Sequence, residues 1–150
     1  MKSKLKALVL FVSLMLASCV STFDQFTYQQ TLETKVMVEN MLKRSSSQQY
    51  SDNLTSVNAL QDRLQTMLEY EQNKKDNVIT EKMWLLHTSK SSALQGFLKL
   101  WEEQGTMSEA FIGEFSPEIS RLFELMVDFE ENKSKESANL INQALLTLTQ

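Results

Sequence analysis

The chain has little of several residue types that common folds and active sites need: one cysteine, one proline, one histidine and three glycines among 150 residues. One cysteine excludes an intramolecular disulfide. Few glycines and prolines disfavour a fold built from tight β-hairpins. One histidine disfavours zinc sites and Ser-His or Cys-His catalysis, and no Gly-x-Ser-x-Gly motif is present. We therefore predict a non-enzymatic protein without a cofactor or metal.

Helical periodicity dominates the rest of the sequence. Apolar residues recur at three- and four-residue steps through most of residues 23–150, which predicts amphipathic helices. The polar segments between them are short, so neighbouring helices are expected to be antiparallel. We predict an all-α fold, an up-down bundle of about four main helices plus a short connecting helix. We detect no internal repeat.

Several helix boundaries can be predicted from capping motifs. Thr22-Phe23-Asp24-Gln25, Ser92-Ala93-Leu94-Gln95 and Thr106-Met107-Ser108-Glu109 each fit a capping box, with Thr22, Ser92 and Thr106 as N-caps. Gly105 suits the residue that ends a helix. The last box is expected to open the short connecting helix.

The C-terminal third allows two interpretations. Ser116 followed by Pro117 predicts a fresh helix start, with proline at the first helical position. From there, either one helix covers residues 117–148 or a break lies near Asn132.

The first part of the chain has the layout of a secretory signal peptide. Lysines occupy positions 2, 4 and 6, residues 5–16 are mostly apolar, and two small residues precede Cys19. The apolar run is shorter than the roughly 20 residues that a membrane-spanning helix needs. We therefore expect residues 1–18 to be removed.

The four residues Leu16-Ala17-Ser18-Cys19 resemble the lipobox of bacterial lipoproteins. The resemblance covers the leader only and implies a diacylglycerol on the Cys19 thiol, with cleavage before Cys19. Val20, where inner-membrane lipoproteins of enteric-like bacteria carry Asp, implies the outer membrane, facing the periplasm. Residues 19–22 would then be a short lipidated tether and residues 23–150 the helical domain. An ordinary signal peptide with a chance cysteine is the alternative.

The net charge of the predicted mature protein disfavours some classes of binding partner. Without residues 1–18, twelve basic residues face nineteen acidic ones, a net side-chain charge of −7. An acidic surface disfavours binding to nucleic acid, and it disfavours attachment to anionic lipid through basic residues. Membrane attachment is therefore expected through lipidated Cys19.

Few side chains suggest a binding site. An exposed groove around Trp101, Phe111 and Phe115 could bind a partner, because Trp and Phe are enriched at interfaces. His87 is expected to be a partly exposed residue at a helix end. Glu102-Glu103 and Glu130-Glu131 are expected to lie on solvated helix faces.

These patterns leave three classes of function. We expect a lipid-anchored helical lipoprotein of the bacterial envelope that binds an unknown envelope protein as an adaptor, assembly factor or inhibitor. A carrier of an apolar ligand, lipid or haem, in the bundle core is the first alternative, and it predicts a cavity between helices. An enzyme is the second, and it predicts converging polar groups in a cleft.

Overall fold

The computed structural model describes residues 23–75 and 77–148, except for the side chains of residues 135, 144, 147 and 148. The predicted signal peptide, Cys19 and the proposed cap Thr22 lie outside the described residues. Within them the chain forms helices and turns but no strand, so the predicted all-α fold is confirmed. The helices are α1 (Gln25–Ser45), a 3₁₀ turn (Tyr50–Asn53), α2 (Leu54–Gln72), α3 (Val78–Thr88), α4 (Ala93–Gln104), α5 (Glu109–Asn132) and α6 (Lys135–Leu148).

The bundle is assembled from neighbouring helices that pack on one another. The helix pairs α1–α2, α2–α3, α4–α5 and α5–α6 are in contact, and α1 also packs along α5. Their shared interior contains large side chains without exposed surface, Trp84, Phe97, Trp101 and Phe123 among them. Contact between α1 and α5, far apart in sequence, makes this a single apolar core.

Polar N-caps mark the start of α1 and of α4, and a glycine ends α4. The Asp24 carboxylate accepts hydrogen bonds from the backbone N–H of Phe26 at 2.8 Å and of Thr27 at 3.1 Å, so Asp24 is the N-cap of α1. The predicted cap Ser92 is confirmed, because its hydroxyl accepts from Gln95 N–H at 3.2 Å. Gly105, with φ of 80°, ends α4 as predicted.

The predicted helix start at Ser116-Pro117 is wrong. The helix α5 begins at Glu109, with Ser108 and not Thr106 as its N-cap, and continues unbroken past Pro117 to Asn132. Proline removes one backbone donor, here the partner of the Gly113 carbonyl. Gly113 and Pro117 both lie on the exposed side of the helix, where water can hydrate that carbonyl. The separate short connecting helix is therefore the first part of α5.

The helical region after Pro117 is broken near Asn132, which is the second of the two interpretations that the sequence allowed. Lys133 has φ of 45°, and its backbone N–H donates to the Phe129 carbonyl at 2.7 Å. The Ser134 hydroxyl then accepts from Ser137 N–H at 3.1 Å, which satisfies a free donor at the start of α6. The α6 helix can therefore fold back onto α5.

Candidate functional site

The predicted aromatic groove does not include Trp101, and this part of the prediction is corrected. Trp101 has no exposed surface. Its indole N–H donates to the Gln48 carbonyl at 3.2 Å, and its ring packs edge-on against Tyr50 at 5.5 Å. A side chain enclosed in this way is part of the core and cannot touch a partner.

Phe111 and Phe115 lie in the first turns of α5. Their rings stack at 5.9 Å, and both are partly buried against the apolar core. The helical spacing of Leu94, Phe97 and Trp101 places Trp101 on the buried stripe of α4, a signal already present in the sequence. Without Trp101, the two phenylalanines form a stacked pair at the core edge and not a three-residue groove.

A groove lies elsewhere, between α3, α5 and α6. Its volume is about 890 Å³, within the range of ligand pockets. It is lined by Lys82, Leu85, Leu86, Ser89, Ser91, Ser92, Ala93, Glu118, Leu122, Asn142, Leu145 and Leu146. Sequence reasoning missed it because it depends on how α6 folds back after Lys133.

Leucine is the most frequent residue in the lining of this groove, at five of its twelve positions. Leu122 is 5% exposed, whereas Leu85 is 49% and Leu146 66% exposed at its sides. Lys82 and Glu118 are the charged residues of the lining, and the Ser92 hydroxyl already caps α4. Such a surface favours contact with apolar groups over reaction chemistry.

His87 is buried, which corrects the expectation of a partly exposed residue. Its ring stacks on Phe123 with centroids 4.0 Å apart and planes 11° apart. Its Nε2 has no hydrogen-bond partner among the described residues. Burial lowers the pKa of His87 to about 4, so the ring is neutral at pH 7.

Glu71 is the first of two glutamates that the bundle buries completely. It lies in the last turn of α2 and accepts a hydrogen bond from the Thr27 hydroxyl on α1 at 2.5 Å. Lys74 Nζ lies 3.1 Å from the same carboxylate and 2.8 Å from Asp24. The Asn77 side chain also donates to Glu71. This polar cluster joins α1, α2 and the start of α3.

Burial and neighbouring charges both shift the pKa values of the groups in this cluster. Burial is the main cause that raises the pKa of Glu71, and it outweighs Thr27 and Lys74, which lower it. Partial burial also acts to raise the pKa of Asp24, but hydrogen bonds from Lys74 and Thr27 N–H prevail and lower it to about 2. For Lys74, burial lowers the pKa, but Asp24 and Glu71 outweigh it and raise the pKa.

Glu130 is the second buried glutamate. It lies in the last turn of α5 and accepts from the Thr80 hydroxyl on α3 at 2.5 Å. Lys133 Nζ is 2.5 Å from its other oxygen and is itself 7% exposed. The prediction of a solvated Glu130-Glu131 pair therefore holds for Glu131 alone.

The two clusters reveal a repeat that sequence reasoning missed. Glu71-Gln72-Asn73-Lys74 and Glu130-Glu131-Asn132-Lys133 are identical at three of four positions. In each, the lysine pairs with the glutamate three residues before it and lies over the aromatic ring four residues before it. The ring distances are 5.1 Å in the first case and 4.5 Å in the second.

The threonines that donate to these glutamates also occupy matching positions in their helices. Thr27 lies three residues after the cap Asp24, and Thr80 lies three residues after the cap Asn77. In both clusters, a threonine hydroxyl in the first turn of one helix thus donates to a glutamate in the last turn of another helix. Both clusters connect helices inside the bundle. The exposed groove is therefore the better candidate for a binding site.

Comparisons with known proteins give no information about the function of this chain. No protein-family model, no curated protein and no solved structure matches the chain. None of the helices described is long and apolar enough to cross a membrane. Among residues 23–75 and 77–148, no three His, Cys, Asp or Glu side chains converge as metal ligands.

Proposed function

We propose that the chain is a non-enzymatic, lipid-anchored binding protein of the bacterial envelope. In this proposal it holds an amphipathic helix of an envelope protein in the groove between α3, α5 and α6. The observation that carries the proposal is the leucine lining of that groove, in which Leu85 is about half exposed and Leu146 about two thirds exposed.

The shape and chemistry of the groove favour a helical occupant. Amphipathic helices dock into hydrophobic grooves through apolar residues at three- and four-residue steps. Complete burial of a leucine contributes about 1.5–3 kcal/mol, so covering the exposed halves of Leu85 and Leu146 would contribute about 1 kcal/mol each. Lys82 and Glu118 in the lining offer opposite charges that could orient the occupant.

The proposed location in the outer membrane is based on the N-terminal leader, residues 1–18, and on Cys19 and Val20. The lipobox resemblance of Leu16-Ala17-Ser18-Cys19 supports a diacylglycerol-modified Cys19. Val20 in the following position supports the outer membrane, facing the periplasm. An adaptor, an assembly factor and an inhibitor would all use such a location and groove.

Site-specific photocrosslinking in the native envelope tests the proposed binding. A photoreactive amino acid at Leu85 should crosslink to one protein, identified by mass spectrometry. The same amino acid at Leu54, 46% exposed and outside the groove lining, is the matched control. The purified partner segment should bind the protein, more weakly after Leu85→Asp and equally well after Leu54→Asp. Identical products from both positions, or equal binding by both variants, would contradict the proposal.

An apolar-ligand carrier is the second candidate function. The groove volume of about 890 Å³ is large enough for a drug-sized apolar molecule. Titration with a fluorescent fatty acid tests this candidate. Saturable binding that is lost on Leu146→Asp, at an exposed position of the lining, and retained on Leu54→Asp would favour it over the protein-binding proposal. Absence of saturable binding would remove it.

A further inference from the structure

Exposed apolar side chains gather at one end of the bundle, and we name them the apolar rim: Phe23, Phe26, Tyr70 and Val78. Their exposed fractions are 54%, 47%, 38% and 57%. They come from the residue before the α1 cap, the first turn of α1, the end of α2 and the start of α3. Three helices thus present apolar surface at the same end.

One ring contact and two side-chain hydrogen bonds place the four residues of the apolar rim at the same end of the bundle. The rings of Phe26 and Tyr70 meet edge to face at 5.0 Å. The Tyr70 hydroxyl donates to Asp24, the residue after Phe23, at 3.1 Å. Val78 follows Asn77, whose side chain donates to the buried Glu71.

The chain before the apolar rim limits what can lie against it. Only four residue steps separate Cys19 from Phe23, and a chain of that length spans at most about 14 Å. The other end of α1 lies about 30 Å further along the helix axis. Acyl chains on Cys19 would therefore bring this end of the bundle, and not the other, to the bilayer.

The residues of the apolar rim suit a lipid interface. Tyr is enriched at the boundary between headgroups and acyl chains, and Phe is common on the apolar faces of helices that lie in this interface. The nearby Lys74 is already paired with Asp24 and Glu71, so attraction to anionic lipid is a minor contribution here. Contact with the bilayer should therefore depend on the apolar side chains and respond little to salt.

We infer that the apolar rim inserts into the headgroup region of the membrane that holds lipidated Cys19. The inference rests on the proposed lipidation and adds the orientation of the domain. The groove begins about 6 Å further along α3, at Lys82, and continues past Leu85 away from the apolar rim. Insertion of the apolar rim would leave the groove facing away from the lipid, open to a periplasmic partner.

Spin labelling of the lipidated protein tests the inference. Cys19 is the only cysteine of the chain, so once it is acylated an introduced cysteine is the only free thiol. A nitroxide is attached to Val78→Cys at the apolar rim and, as the control, to Ser47→Cys beyond the far end of α1. Both proteins are placed in phosphatidylethanolamine–phosphatidylglycerol vesicles. Collisions with lipid-soluble oxygen and a water-soluble nickel chelate are then measured.

Insertion predicts a difference between the two positions. The label at position 78 should lose nickel collisions several-fold and gain oxygen collisions, at low and high salt alike. The label at position 47 should remain open to nickel. Phe23→Ser with Phe26→Ser should restore nickel access at position 78, whereas Leu54→Ser, a comparably exposed residue of α2, should not. Thermal unfolding of each variant verifies that the bundle is intact.

The outcomes separate this inference from the proposed function. Mass spectrometry first measures the acyl group on Cys19, and its absence would contradict the lipid anchor itself. With the acyl group present, equal nickel access at positions 78 and 47 would overturn only the orientation. Spin–spin broadening at position 78 without oxygen access would assign the apolar rim to a second copy of the chain, and it would also overturn the inference.

Discussion

At the scale of single residues, the buried glutamates have the largest energetic consequence. Glu71 and Glu130 have no exposed surface, and burying a carboxylate without a partner costs several kcal/mol. Each is compensated by a lysine and by the hydroxyl of a threonine on another helix. Loss of one partner should therefore destabilise the protein far more than loss of an exposed ion pair.

Lys133→Met tests this asymmetry. The variant leaves the Glu130 carboxylate buried without its countercharge, so we expect a loss of about 3–5 kcal/mol in the free energy of unfolding. Urea denaturation measures it. Lys99→Met is the control, because the Lys99–Glu103 pair is exposed on both sides, and its loss should have little effect. Equal stability of the two variants would contradict the importance of the buried pair.

His87 should make stability depend on pH. Its folded pKa of about 4 lies below its ordinary value of 6.5, so between these values the unfolded chain binds the proton more readily. Stability should therefore fall as the pH falls below about 6.5, by about 2 kcal/mol at pH 5. The raised pKa of Glu71 acts in the opposite direction.

The contribution of His87 is isolated by His87→Gln, because this is the only histidine of the chain. Urea unfolding of both proteins at pH 7 and pH 5 provides the difference. The wild type should lose about 2 kcal/mol more than the variant over this interval. Parallel pH profiles would show that the pKa of His87 is the same in the folded and unfolded protein, and would contradict this prediction.

At the scale of helices, the course of α5 shows how local signals compete. Ser116-Pro117 has the pattern of a helix start, yet α5 continues through it. Burial of Ile119, Phe123 and Met126 on the same stripe offsets the hydrogen bond that Pro117 cannot make. Capping patterns therefore predicted Ser92 and Gly105 well, but tertiary packing decided the outcome at Pro117.

Two glycines in different backbone settings test this account of the helices. Gly113 lies inside α5, and a Cβ built there meets nothing within 4 Å, so Gly113→Ala should stabilise the protein by about 0.5–1 kcal/mol. Gly105 has φ of 80°, and a Cβ there would press on the Gln49 side chain. Gly105→Ala should therefore destabilise the protein. Thermal unfolding compares them, and the same sign for both would contradict the helix boundaries.

At the scale of the whole molecule, the anchor and the bundle have separate roles in the proposed function. Cys19 would hold the protein at the membrane, while the groove would bind the partner. Neither depends on the polar clusters around Glu71 and Glu130, which join the helices. Removal of the anchor should therefore change location without changing the fold.

Cys19→Ala tests this separation. We expect loss of acyl labelling and release of the protein from membranes on fractionation, because acyl chains are the main attachment in the proposal. The thermal unfolding midpoint of the purified domain should be unchanged. Retention of the variant in the membrane fraction, with acyl label, would contradict Cys19 as the anchor.

The sequence by itself determined that the chain is helical and where α4 begins and ends, because helical periodicity, the N-cap Ser92 and the positive φ at Gly105 depend on residues within a turn or two. Only the tertiary structure decided that Glu130 is buried, that Thr27 and Thr80 have matching roles, and that leucines of three helices line one groove. Those outcomes depend on which helix faces touch. The contacts between α1 and α5 and the return of α6 join residues distant in sequence, and no local pattern specifies them.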